Sequence, residues 1–148
     1  MGRTFYNSRT GFVGGRVAYP VALDGSHEMG RKLSILVLDD NVDNAESLAE
    51  LLAMDDHTVS VAYSGQDAVD AYRLRDFDLG FFDVMMSGKN GVDSFLEIRA
   101  ERPDAKIYFM TGYSADDLLM KGMAAGAMGV FGKPVDLPGV LDAVERAA

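Results

Sequence analysis

Ile35-Leu-Val-Leu-Asp-Asp40 sets four apolar residues directly against two acids, and the chain returns to this arrangement three more times. Gly80-Phe-Phe82 runs into Asp83, Tyr108-Phe-Met110 into Thr111, and Val130-Phe131 is followed two residues on by Lys133. Short continuous apolar runs of this kind read as strands covered on both faces. Between them lie stretches with helical start and stop signals. Asp43 with Glu46 makes a capping-box start for a helix through Met54 that puts Ala45, Leu48 and Leu52 on one face. Thr58–Ala62 is a second strand, and Ser64 with Asp67 opens a helix to about Leu74. Leu79–Phe82 is the third strand, and a helix from about Val92 to Ala100 is stopped by Pro103. Ile107–Met110 is the fourth strand, and Ser114 with Asp117 caps a fourth helix. Gly129–Phe131 is the fifth strand, and Asp136, with Pro138 in the first turn, begins a last helix. Five strand-helix units in succession call for an α/β fold, a parallel sheet with helices on both faces and right-handed crossovers.

The bulk composition narrows the function. A chain of 148 residues, 48% of them hydrophobic, fits one domain with a real core. A net charge of −9 argues against direct nucleic-acid binding, which needs clustered Lys and Arg to displace counterions. There is no Cys, so disulfide and thiolate chemistry are excluded, and a reducing cytoplasm suits the chain. Apolar runs fall far short of the roughly 20 residues that span a bilayer, so neither a membrane segment nor a secretory signal is expected. Residues 1–31, rich in Gly and Arg, sustain neither period. They are expected to be an extension or leader without assigned function, in which Gly14-Gly15 could turn a short hairpin. The remaining domain spans 32–148.

In an open parallel sheet the carboxyl ends of the strands line one edge, where ligand sites form. Asp39, Asp40, Asp83, Thr111 and Lys133 are therefore expected to converge. Together they can hold a divalent cation, offer a carboxylate nucleophile and neutralise a transferred phosphoryl group. Two adjacent carboxylates repel each other without a cation, although either acid could simply accept backbone amides before the helix. Oxygen ligands without His or Cys suit Mg²⁺ or Mn²⁺. Asp40, Asp83 and a backbone carbonyl near Met85 could supply them. Taken singly, Thr111-Gly112 is an ordinary turn and Lys133 an ordinary surface residue, with Pro134 favouring extended backbone before it. Gly129-Val-Phe-Gly-Lys133 imitates a phosphate loop, but Ala127 and Pro134 break that pattern. The first strand-helix turn also lacks G-x-G-x-x-G. His27 and His57 read as surface residues, and Met120, Met123 and Met128 as helix–sheet packing, a residue type that also suits partner surfaces.

Leu36-Val-Leu-Asp-Asp-Asn41, Phe82-Asp-Val-Met-Met-Ser-Gly-Lys-Asn-Gly91, Tyr108-Phe-Met-Thr-Gly112 and Gly126-Ala-Met-Gly-Val-Phe-Gly-Lys-Pro134 resemble the receiver domain of two-component response regulators. The resemblance covers about Lys32 to Ala148. It implies a flavodoxin-like (βα)5 doubly wound sheet with strand order 2-1-3-4-5. It also implies that Asp83 accepts a phosphoryl group from a histidine kinase or phosphotransfer protein. Mg²⁺ would sit on Asp39, Asp40 and Asp83, and Thr111 and Lys133 would contact the phosphoryl oxygens. The downstream protein partner would read the face of the fourth helix, fifth strand and fifth helix. With no output domain following, the chain looks like a stand-alone receiver, a phosphoacceptor rather than an enzyme, located in the cytoplasm.

Three positions depart from the family pattern. Ser87 replaces the usual Pro, Val130 stands where the switch aromatic is usual with Phe131 shifted by one, and Tyr113 offers itself as the mobile ring instead. Two rival readings remain: a haloacid-dehalogenase-like phosphohydrolase, which usually needs a second Asp two residues after the nucleophile, and a pseudo-receiver that is never phosphorylated.

Overall fold

The computed structural model describes residues 3–7, 31–112 and 116–148. In chain order the elements are β1 (Arg3–Asn7), β2 (Ser34–Leu38), α1 (Val42–Ala53), β3 (Thr58–Ala62), α2 (Gly65–Leu74), β4 (Leu79–Asp83), α3 (Gly91–Glu101), β5 (Ile107–Thr111), α4 (Asp116–Ala124), β6 (Gly129–Gly132) and α5 (Leu137–Ala147). They form one sheet in the order β1-β3-β2-β4-β5-β6. The strands from β2 to β6 are parallel, and numbered among themselves they run 2-1-3-4-5, as expected.

Alternation along the strands divides the core into two layers. Ile35, Val37, Val59, Val61, Phe81, Tyr108 and Met110 face α1 and α5, meeting Leu48 and Leu52 of the first and Val140 and Val144 of the second. Leu36, Leu38, Phe82, Ile107 and Phe109 face the other way, against Val69 and Tyr72 of α2 and Phe95 and Ile98 of α3. With helices on both faces, every position of β4 and β5 is buried, which explains their unbroken apolar runs. Helix α4 comes close to the sheet through Gly122, where a Cβ would lie 2.3 Å from the Phe109 ring. Gly80 makes room in the same manner for the Tyr72 hydroxyl, the one buried side-chain polar atom without a hydrogen-bond partner among the described residues. No described helix is long and apolar enough to cross a membrane.

Several local expectations are corrected. Asn41, two residues earlier than Asp43, caps α1, its side chain accepting from the Asn44 amide at 2.9 Å. A strand, β1, antiparallel to β3, lies in residues 1–31 but ahead of the Gly14-Gly15 segment where a short hairpin is expected. The Gly14-Gly15 turn, His27, Tyr113 and the Ser114 cap lie outside the described residues. Met120, Met123 and Met128 do not fill the core; all three are exposed. The Lys133-Pro134 peptide is cis.

His57 is buried rather than on the surface, and its Nδ1 accepts from the Leu33 amide at 3.0 Å, tying the start of β3 to the start of β2. Burial lowers its pKa below the ordinary 6.5, outweighing the pull of Asp55. Protonation would remove the lone pair that Leu33 uses. Because the folded pKa is lower than the unfolded one, this contribution is complete above about pH 6.5 and is lost as pH falls through the folded value. Acidification from pH 7 to 5 should therefore destabilise the wild type relative to His57→Gln, by on the order of 1 kcal/mol, the net worth of one buried hydrogen bond. Urea melts of both proteins across that range check it. Parallel curves would contradict it.

Candidate functional site

The parallel register brings the ends of β2, β4, β5 and β6 to one edge. Leu38 pairs with Phe82, Asp83 with Met110, and Thr111 with Gly132, so the residue that follows or ends each run arrives at the same level. One carboxylate oxygen from each of Asp39, Asp40 and Asp83 lies within 4.8 Å of the others. Asp39 and Asp83 are almost fully buried, at 2% and 5% exposure, whereas Asp40 is open to solvent. Burial would penalise two neighbouring carboxylates strongly were it not for Lys133. Its ammonium donates to Asp39 Oδ2 at 2.9 Å and lies 3.2 Å from Asp83 Oδ2.

These groups shift one another's protonation. Burial first, and the Asp39 charge second, raise the Asp83 pKa to about 6 against the opposing pull of Lys133. Burial alone would lower Lys133, but its hydrogen bond to Asp39 and the two carboxylate charges outweigh that and raise it. Three acids against one ammonium leave excess negative charge in a recess, an arrangement that a divalent cation would complete. Hard oxygen donors with open solvent on the Asp40 side suit Mg²⁺ better than a softer metal.

Asp39 also plays the bland role considered for the acidic pair, since its Oδ1 accepts from the Asn41 amide at 3.0 Å. Its two oxygens thus serve two purposes, fixing the turn into α1 and meeting Lys133. Thr111 is buried at the end of β5, and its carbonyl accepts from the Lys133 amide at 2.8 Å. Gly112 follows, and a Cβ there would lie 3.4 Å from the Lys133 Cβ. Met85, two residues beyond Asp83, is 46% exposed.

The loop from Val84 to Asn90 folds back over the strand end. The Gly91 amide donates to the Val84 carbonyl at 3.1 Å, and a Cβ on Gly91 would fall 2.1 Å from the Asp83 carbonyl oxygen. Backbone cannot yield as a flexible side chain does. Gly91→Ala should therefore destabilise the protein by about 3 kcal/mol, read as a lower urea midpoint; an unchanged midpoint would contradict the packing. Ser87, a residue for which sequence reading found no part in the site, donates from its amide to Asp40 Oδ2 at 3.3 Å, with its hydroxyl 3.5 Å from the same oxygen. A proline at that position has no amide proton to offer. The one sequence signal was the departure from pattern itself, a serine where the family usually has proline.

The shifted aromatic is resolved by strand alternation. Phe131 turns inward, its ring 5.3 Å from that of Tyr108 and 6.3 Å from that of Phe81, whereas Val130 is exposed.

Residues 35–145 match the family model described as the response regulator receiver domain. The chain belongs to that family. Its relatives include the transcriptional regulatory protein ZraR of Salmonella typhimurium, 35% identical over 116 residues that make up 78% of this chain and 26% of that protein. The chemotaxis protein CheY of Halobacterium salinarum is 30% identical over 110 residues, 74% of this chain and 92% of that one. The chain spans about a quarter of the length of the ZraR relatives. Among solved structures, response regulator TrrA of Thermotoga maritima, in complex with Mg²⁺-BeF, superposes with a TM-score of 0.71 at 28% identity, covering 80% of this chain and all of that one. A receiver domain protein from Methanospirillum hungatei shares the fold with a TM-score of 0.74 at 22% identity, covering 78% of this chain and 93% of that one. The receiver family consists of signalling phosphoacceptors that bind Mg²⁺ at an acidic pocket, and this chain clusters Asp39, Asp40 and Asp83 at the strand ends.

Proposed function

We propose that this receiver is a phosphorylation-controlled switch in which Asp83 takes a phosphoryl group from the phosphohistidine of a kinase or phosphotransfer protein. The observation that carries this reading is the Lys133 ammonium held between Asp39 and Asp83, beside three clustered carboxylates. Asp39, Asp40 and Asp83, with the Met85 backbone carbonyl, would hold Mg²⁺. When bound, the cation offsets negative charge on the phosphoryl oxygens.

The chain's own residues do the rest. An Asp83 carboxylate oxygen attacks phosphorus in line, a P–O bond forms, the P–N bond to the donor imidazole breaks, and that nitrogen keeps the electron pair and takes up a proton. Asp83 must be ionised to attack. Its raised pKa lies below neutral pH, and a cation beside it would favour the ionised form further. Lys133 is placed to move from its carboxylate partners to a phosphoryl oxygen, and the Thr111 hydroxyl to donate to another. Drawing Thr111 and Lys133 inward would shift the ends of β5 and β6 together, since their backbones are already bonded.

The partner would read that shift on the side of α4, β6 and α5, where Met120, Met123, Met128, Val130 and Leu137 are exposed. Methionines adapt to varied apolar partners. With Phe131 packed against Tyr108 and Phe81, ring rotation at that position is not the readout. We place the exchange in the cytoplasm, where kinases of this kind present phosphohistidine.

Exposure to acetyl phosphate with Mg²⁺ tests the reading. It predicts uptake of one phosphoryl group per chain and no turnover of p-nitrophenyl phosphate. Turnover would favour the phosphohydrolase, and absence of uptake the pseudo-receiver.

A further inference from the structure

The parallel sheet has two edges, and they are treated differently. At one end β6 is four residues long with glycine at both ends, a short edge with little to offer another strand. At the other, β3 reads Thr58-Val-Ser-Val-Ala62, with no charge, proline or lysine to discourage pairing. β1 lies along this second edge, antiparallel and in register from Arg3 opposite Ala62 to Asn7 opposite Thr58.

Backbone groups of successive strand residues point to alternate sides. The Thr58 amide donates to the Leu33 carbonyl, and the Ala62 carbonyl accepts from the Asp39 amide, so Thr58, Ser60 and Ala62 bond toward β2. Val59 and Val61 therefore present their amides and carbonyls outward, where their partners are Tyr6 and Thr4. Without β1 those four groups form a bare template. It is also self-complementary: an antiparallel pair centred on Ser60 sets Val59 opposite Val61 and Thr58 opposite Ala62, with no like charges facing.

We propose that Arg3–Asn7 is an edge guard that keeps two copies of this chain from joining their sheets through β3. Being tethered, it meets the edge at a high effective concentration that a second copy reaches only when concentrated. Displacing it converts the edge into a two-fold symmetric contact between copies.

The test uses the full chain and the Thr4→Pro/Tyr6→Pro variant, which removes the two amide donors facing β3. Residue-resolved amide exchange and sedimentation are read together. In the wild type, Val59 and Val61 should be protected and the chain monomeric with respect to this edge. In dilute variant, exchange at Val59 and Val61 should rise on the order of 100-fold while Ser60 and Ala62 stay protected. On concentration the variant should dimerise and regain protection at Val59 and Val61. Thr4→Pro alone should act mainly on Val61, and Tyr6→Pro alone on Val59. Unprotected Val59 and Val61 in the wild type, or a variant that stays monomeric at high concentration, would overturn the proposal. So would deprotection of Ser60 and Ala62 together with their neighbours, which would make the segment part of the cooperative fold instead of a separable guard.

Discussion

Asp40→Ala should lower the rate of Mg²⁺-dependent phosphoryl uptake from acetyl phosphate by on the order of 100-fold, with the fold intact. Asp40 is exposed, and the amide and hydroxyl of Ser87 that donate to it belong to a surface loop, so its loss removes no core contact. What remains is a buried pair already shared with Lys133. Two carboxylates that an ammonium neutralises are a poorer cation site than three. Chelating Mg²⁺ from the wild type should have the same consequence. The check is the initial rate of uptake over a Mg²⁺ titration, alongside a urea melt. An Asp40→Ala rate equal to wild type at every Mg²⁺ concentration would remove Asp40 from the site.

The second large effect concerns lifetime. Hydrolysis of an acyl phosphate needs a water held in line with the bond that breaks, and positioning of this kind is worth orders of magnitude in rate. Met85, two residues past Asp83 and half exposed, has only a thioether, which is a poor hydrogen-bond partner for that water. The phosphorylated protein should therefore decay slowly and depend on a phosphatase or reverse transfer for resetting. Met85→Asn supplies an amide at the same place and should hasten decay by roughly tenfold. Decay of purified phosphoprotein in Mg²⁺ measures both. Loss of phosphate within seconds in the native chain, or an asparagine variant no faster, would contradict it.

The strands and their ends were legible in the sequence for one physical reason. A strand covered on both faces must be continuously apolar, so the first polar residue after each run marks where it leaves the core. That is why Asp39, Asp83 and Thr111 could be named before their distances were known. What escaped was local or long-range in character. Asn41 lost the helix start to Asp43 because the Asp43–Glu46 spacing imitates a capping box, while the true cap acts on Asn44 three residues on. His57 looked like a surface residue because nothing local reveals that its ring meets the Leu33 amide across the sheet. The methionines of α4 read as packing on residue type, yet that helix meets the core through Leu118, Leu119 and Gly122 and leaves Met120 and Met123 exposed. β1 is five residues in a Gly-rich region, too short for its period to show, and its partner β3 lies more than fifty residues away in sequence.

The phosphoacceptor itself can be located chemically. Protein treated with acetyl phosphate and Mg²⁺ is reduced with borohydride, which converts an aspartyl phosphate to homoserine, then digested and sequenced by mass spectrometry. Homoserine is expected at position 83, absent when acetyl phosphate is omitted, with no uptake at all in Asp83→Asn. Homoserine at another aspartate, or undiminished uptake by Asp83→Asn, would contradict it.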